Sequence, residues 1–109
     1  MPIVQKLYIF YRDLHAAVLL FPKVDKHSLG QILQNKSLQL IETILIASRL
    51  NSNAKKNMLI QANGQLDLIK LLIRLAHEIK IIDHTKYLSL QAYLQEVGRM
   101  LGGWLRSLQ

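Results

Sequence analysis

The stretch Tyr87-Leu88-Ser89-Leu90-Gln91-Ala92-Tyr93-Leu94-Gln95-Glu96-Val97-Gly98-Arg99-Met100-Leu101-Gly102-Gly103-Trp104-Leu105-Arg106-Ser107-Leu108 decides the fold. Within it Tyr87, Leu90, Leu94, Val97, Leu101, Trp104 and Leu108 recur at alternating three- and four-residue steps. At 3.6 residues per turn that spacing lines them along one side of a helix, whereas a strand would send successive members to opposite faces. Asp83 or Thr85 suits the N-cap, where a short oxygen-bearing side chain satisfies a free backbone N–H. A narrow seam of this kind is the pattern of helical bundles and coiled coils.

Working back from this segment, the chain is cut by Phe21-Pro22-Lys23-Val24-Asp25-Lys26-His27, by the polar cluster Asn51-Ser52-Asn53-Ala54-Lys55-Lys56-Asn57, and by Ile82-Asp83-His84-Thr85. The first segment carries Ile3, Leu7, Phe10, Leu14, Ala17 and Phe21 at helical steps, and Pro22 ends it. The second carries Leu29, Leu33, Leu40, Ile44 and Ala47, with Leu38, Ile41 and Leu45 alongside. The third has one seam of Leu66, Ile69, Ile73 and Ala76 and a second of Leu68, Leu72, Leu75, Ile79 and Ile82. The pattern predicts an all-α protein: an antiparallel up-down-up-down four-helix bundle in one domain, 1–109, with helices over approximately 3–20, 28–50, 57–81 and 85–108. A solitary bundle needs one apolar stripe per helix. The second seam of the third segment, with Leu71, Ile81 and Ile46, therefore favours self-association over a chain of ordinary exposed aliphatics.

The 109 residues allow one small core. With no cysteine, disulfides, thiolate zinc sites and cysteine nucleophiles are excluded, and a reducing, cytoplasmic location is the expectation. No stretch free of charge approaches the roughly 18 residues of a membrane helix, and Lys6 and Arg12 bracket the first apolar run, unlike a signal peptide. His15, His27, His77 and His84 are the near-neutral acid–base candidates. None belongs to a Glu-x-x-His pair of the di-iron type. Helical RNases of the HEPN class space Arg and His by four to six residues, whereas Arg12/His15 and Arg74/His77 have only two between them. No enzyme activity, metal or cofactor is expected. An RNase, or the antitoxin partner of one, would need RNA cleavage that is lost on replacing His77 or His84.

Fourteen Lys and Arg against seven Asp and Glu leave a net charge of +7. The excess is spread as +2 through residue 27, +1 over 28–50, +3 over 51–82 and +1 thereafter, so it belongs to a folded surface rather than a tail. Lys70, Arg74 and His77 fall at i, i+4 and i+7, with Lys80 nearby. Like charges at that spacing repel on an isolated helix, and an anionic partner relieves them; Asp67 and Glu78 are positioned to neutralise them within the chain. Lys55 with Lys56, and Lys23 with Lys26, form further clusters. Such groups bind phosphate backbone with little sequence selectivity. Base stacking has little support, because most aromatics lie in the seams and only Tyr11 and Tyr93 are available as platforms.

Leu94-Gln95-Glu96-Val97-Gly98-Arg99-Met100-Leu101-Gly102-Gly103-Trp104 resembles the E-[IV]-G-R-M-L-G-G-W signature of the accessory variability determinant (Avd) proteins of diversity-generating retroelements. Arg74-Leu75-Ala76-His77-Glu78-Ile79-Lys80 is similar to that family's R-L-A-x-E-x-K stretch, and Phe21-Pro22-Lys23 with Leu29-Gly30 matches its pattern after the first helix. Independently of the family, Gly98 and Gly102 lie four apart beside the seam of Leu101 and Trp104. Each glycine costs about 1 kcal/mol of helix stability relative to alanine. Close approach of another helix backbone would account for that cost, and loosening of the helix end is the alternative. Arg99 projects from the other flank, towards Glu96 or a partner.

The resemblance implies a homopentameric barrel of four-helix bundles with a basic surface. It also implies a non-catalytic protein that binds the element's reverse transcriptase together with RNA and DNA, and supports mutagenic copying of template RNA. Lys70, Arg74, Lys80, Arg99 and Arg106, then Lys23 and Lys26, are the expected nucleic-acid contacts. Gly98, Leu101, Gly102 and Trp104 are the expected packing positions. The runner-up is a structural bundle protein of the ribosomal-RNA intervening-sequence type, without a polymerase partner.

Overall fold

The four apolar segments form four helices in the computed structural model of the protein, which describes residues 1–108, with Phe21, Ile79 and Ile82 in the links. Gln109, the last residue of the expected domain, lies outside the described residues. Helix α1 spans Pro2–Leu19, and Pro2 at its first turn lacks only an N–H the helix would leave free. The second helix, α2, opens with the turn Lys23–Asp25, passes through a π-helical turn Lys26–Gly30 and continues as Gln31–Ala47. Helix α3 is Ser52–Glu78 and α4 is His84–Ser107. Contacts run α1 to α2, α2 to α3, α3 to α4 and α4 back to α1, so the helices stand at the corners of a square. With links only at 20–22, 48–51 and 79–83, consecutive helices are antiparallel. Among the described residues there is no strand.

Two of the expected breaks are narrower than the polar residues suggested. Residues 23–27 are helical, because Pro22 both stops α1 and presets the backbone for a new helix immediately after it. Lys55 and Lys56, read as loop residues, lie near the start of α3, whose N-cap is Asn51. Asn and Ser favour helix starts as much as loops, so the cluster marked a first turn. At the start of α4 the cap is Asp83, whose carboxylate accepts from the Lys86 N–H at 2.7 Å.

The core is built from the seams. Ile3, Leu7, Phe10, Leu14, Ala17 and Phe21 are all buried, as are Leu66, Ile69, Ile73 and Ala76, which Leu59 and Ala62 extend along α3. Leu90, Leu94, Val97 and Leu101 are fully buried on α4, while Tyr87, Trp104 and Leu108 are half-buried at the ends of the seam. On α2 the stripe of Leu33, Leu40, Ile44 and Ala47 is completed by Ser37 and Thr43. Their hydroxyls donate back to the Leu33 and Gln39 carbonyls at 2.7 and 2.9 Å, so neither is an unsatisfied group in the core.

Of the second seam, Leu68, Leu75 and Ile79 remain outside this core, whereas Leu72 packs against it and Ile82, past the end of α3, is buried in it. Leu68, Leu71, Leu75 and Ile79, with Ile60, are each between 38% and 54% exposed. Gly64 lies on the same outer side, and a Cβ there would meet nothing within 4 Å. Leu38, Leu45 and Ile46 of α2 are likewise exposed.

Gly30 closes the π turn against the end of α1. A Cβ on it would stand 2.7 Å from Val18 Cγ1 and 3.3 Å from Phe21 Cδ2, both in buried side chains. Gly30→Ala should therefore lower stability by about 1–3 kcal/mol through overpacking. Urea unfolding followed by circular dichroism checks this; an unchanged midpoint would show that the π turn yields freely.

Candidate nucleic-acid interface

The face formed by α3 and α4 gathers the best-defined polar groups. Lys70 lies where α4 crosses α3: Gln91 Nε2 donates to the Lys70 carbonyl at 3.1 Å. The Lys70 ammonium rests over Gly98, where a Cβ would sit 3.3 Å from Nζ and 3.4 Å from Leu66 Cδ2. The absence of a side chain at 98 thus leaves room for the ammonium. Beside it runs an open groove of about 420 Å3, whose lining includes Asp67, Lys70, Arg74, Tyr87, Gln91 and Gln95. Arg74 Nε pairs with Glu78 Oε1 at 3.3 Å, with both side chains largely exposed. Exposed i,i+4 pairs are worth only about 0.3–0.5 kcal/mol, so the guanidinium can exchange this carboxylate for another anion at little cost.

At the end of the groove α3 turns into α4. Lys80 there has φ 66°, the left-handed position usually held by glycine. Lys80 N donates to the His77 carbonyl at 3.0 Å and Ile81 N to the Ala76 carbonyl at 2.8 Å, which is the paired-bond helix ending of the Schellman type. This folds α4 back so that His84 Nδ1 lies 3.3 Å from His77 Nε2. The His77 ring stacks on Tyr87, with centroids 4.3 Å apart and planes 10° from parallel. Past the stack is a second opening, of about 520 Å3, lined by His77, Lys80, Ile81, Ile82, Asp83 and His84.

Of the expected contact residues, Lys70, Arg74 and Lys80 follow one another along this face. Arg99 is held by Glu96 through both Nε and Nη2. Further along α4, Arg106 folds over the glycine pair: a Cβ at Gly102 would be 3.4 Å from its Nη1, and one at Gly103 3.8 Å from its Nη2. Lys23 and Lys26 begin α2, and Lys26 lines a different groove, between α1 and α2, with Tyr11, His15, His27 and Gln34. Leu101 is fully buried. Trp104 is at the far end against Met1, Pro2, Ile3 and Met100, with Lys55 Nζ 5.9 Å from its ring centroid. Within the chain, no neighbouring helix backbone stands among the nearest atoms to Gly98 or Gly102; they meet side chains.

Among the described residues the ion pairs are Arg12–Asp13, Arg74–Glu78 and Arg99–Glu96, and no lysine takes part in one. The basic excess is therefore largely ammonium groups free to meet external anions. The two candidate stacking residues lie elsewhere. Tyr11 is in the α1–α2 groove, and the Tyr93 phenol is engaged by Asp13, whose hydrogen bond, with desolvation and the carboxylate charge, holds its pKa above the usual value. The aromatic group on the α3–α4 face is instead His77, Tyr87 and His84. Sequence spacing could not pair them, because the contact depends on how sharply residues 79–83 turn.

No helix is long and apolar enough to cross a membrane among the described residues. A family model described as bAvd-like matches residues 1–108. No curated protein matches the chain.

Proposed function

Since the chain belongs to the bAvd-like family of accessory proteins of diversity-generating retroelements, we propose that it is a non-catalytic subunit that binds nucleic acid and the element's reverse transcriptase during mutagenic copying of template RNA. The observation that carries the nucleic-acid half is the Lys70 ammonium seated over Gly98, with Arg74 beside it in the groove and Lys80 at the corner opening beyond. It joins the glycine-rich stretch of α4 to the cationic stripe of α3 in a single surface. Phosphate backbone is the ligand such a surface suits, because ammonium and guanidinium groups neutralise it without reading bases. Both RNA and DNA are expected to bind. Arg99 and Arg106 extend the surface down α4, and Lys23 and Lys26 add charge at the end of the bundle where Lys80 lies.

The exposed residues of the outer α3 face support assembly of several copies, a homopentamer in this reading, with Gly102 and Trp104 contributing to packing between copies, while Leu101, fully buried, packs within the bundle. Covering Leu68, Leu75 and Ile79 removes apolar area from water at about 25 cal/mol per Å2. Around a ring, the +7 of each chain would add to a field that attracts nucleic acid at moderate salt and releases it at high salt. The cytoplasm is the compartment in which a cysteine-free partner of a polymerase would work.

The test is to look for a reverse-transcriptase gene in the same locus and to co-express its product with this protein. Tagged accessory protein should retain the polymerase through washing after nuclease treatment. Failure to retain it, together with absence of a polymerase gene from the locus, would favour a structural bundle protein with no polymerase partner.

A further inference from the structure

We propose that the corner where α3 turns into α4 is a base-stacking site that makes the surface selective for single-stranded nucleic acid over duplex. This rests on the nucleic-acid reading above and adds to it the form of the ligand. The His77–Tyr87 pair stands between the two openings of that face: Tyr87 lines the groove and His77 lines the corner. Its rings are parallel to within 10° at 4.3 Å, so two flat surfaces are already assembled before any ligand arrives. The His84 contact at 3.3 Å holds the His77 ring in place, which makes His84 a positioning residue.

Cations flank the stack on both sides, Lys70 and Arg74 along the groove and Lys80 at the corner. A strand crossing the corner would set its phosphates on these groups and turn a base against the stack. Every base offers a flat π surface, so such stacking tolerates any sequence. Bases inside a duplex are already stacked on one another and would reach the rings only after unpairing. A duplex would then bind through charge alone. The amide of Gln95, on the same groove, adds a donor and an acceptor within reach of a base edge.

The experiment compares an unstructured oligouridylate RNA with a blunt RNA duplex of equal phosphate number at one salt concentration. Tyr87→Leu and His77→Leu should each weaken binding of the strand roughly tenfold, in the range of one lost base–aromatic stack. Duplex binding should be unchanged, and Tyr87→Phe should behave as wild type. In the unsubstituted protein, the ring protons of His77 and Tyr87 should shift upfield on titration with the strand and stay in place with the duplex. This second readout does not depend on how a variant folds. Equal losses on strand and duplex, or ring protons that do not respond, would overturn the proposal while leaving phosphate binding intact. Failure of the wild-type protein to bind either ligand would overturn both this site and the broader reading.

Discussion

Replacing Lys70 and Arg74 with glutamine and Lys80 with glycine should lower affinity for RNA and DNA on the order of a hundredfold at moderate salt. The loss should be alike for all sequences, because these groups meet phosphates rather than base edges. The logarithmic salt dependence should become shallower by about one for each phosphate contact removed. The choice of glycine at 80 separates binding from folding. Lys80 occupies a left-handed conformation that costs an ordinary residue roughly 1–2 kcal/mol, so glycine there should hold or raise the unfolding midpoint. Loss of Arg74 removes only an exposed pair with Glu78. A variant at least as stable as wild type that binds poorly is the expected result, measured by filter binding and thermal melting. Unchanged affinity and salt slope would move the interface to another face, with Lys23 and Lys26 the next to be tested.

The other large effect concerns assembly. Leu68→Glu combined with Leu75→Glu should convert an oligomer of about five chains into monomers at micromolar concentration. Both leucines lie outside the core, at 38% and 42% exposure, so helix content should persist. Each glutamate would have to be desolvated without a partner if the seam stayed covered, a penalty of several kcal/mol per ion. Sedimentation velocity distinguishes the outcomes. A wild-type protein that sediments as a clean monomer would remove the barrel from the reading, and a double variant that remains assembled would place the interface on α2 or at the Trp104 end instead.

Most of the bundle was legible in the residue pattern because burial follows period. Every member of the first seam, from Ile3 to Phe21, is in the core, and Leu90, Leu94, Val97 and Leu101 form the centre of the fourth. The second helix was harder. Ser37 and Thr43 interrupt its apolar stripe, yet both are buried, since a hydroxyl bonded to its own helix can stand in for a small apolar group. It starts at Lys23 rather than at the expected 28, because Lys23, Asp25, Lys26 and His27 look like a loop, whereas the proline before them starts a helix.

The candidate site divides along the same line. Spacing along one helix aligned Lys70, Arg74 and His77, but it carried nothing about what lies across from them. Gly98 under the Lys70 ammonium, the Gln91 bond to the Lys70 carbonyl, and the His77–Tyr87 stack all join residues on different helices. Tyr87 illustrates the point: its place in the fourth seam was correct, and its ring also forms part of the wall of the groove. The place of Arg106 over Gly102 and Gly103 is equally hidden, since glycines beside a seam suggest a neighbouring helix backbone rather than a guanidinium from the same helix.

Gly64 offers an experimental handle. A side chain there would meet open space, and the chain contains no cysteine. Gly64→Cys would therefore introduce a single thiol into the middle of the outer face of α3, at a helix propensity above that of the glycine it replaces. A fluorophore or spin label on that thiol would report on this one surface, giving distances between copies in solution and following their arrangement as nucleic acid or polymerase is added.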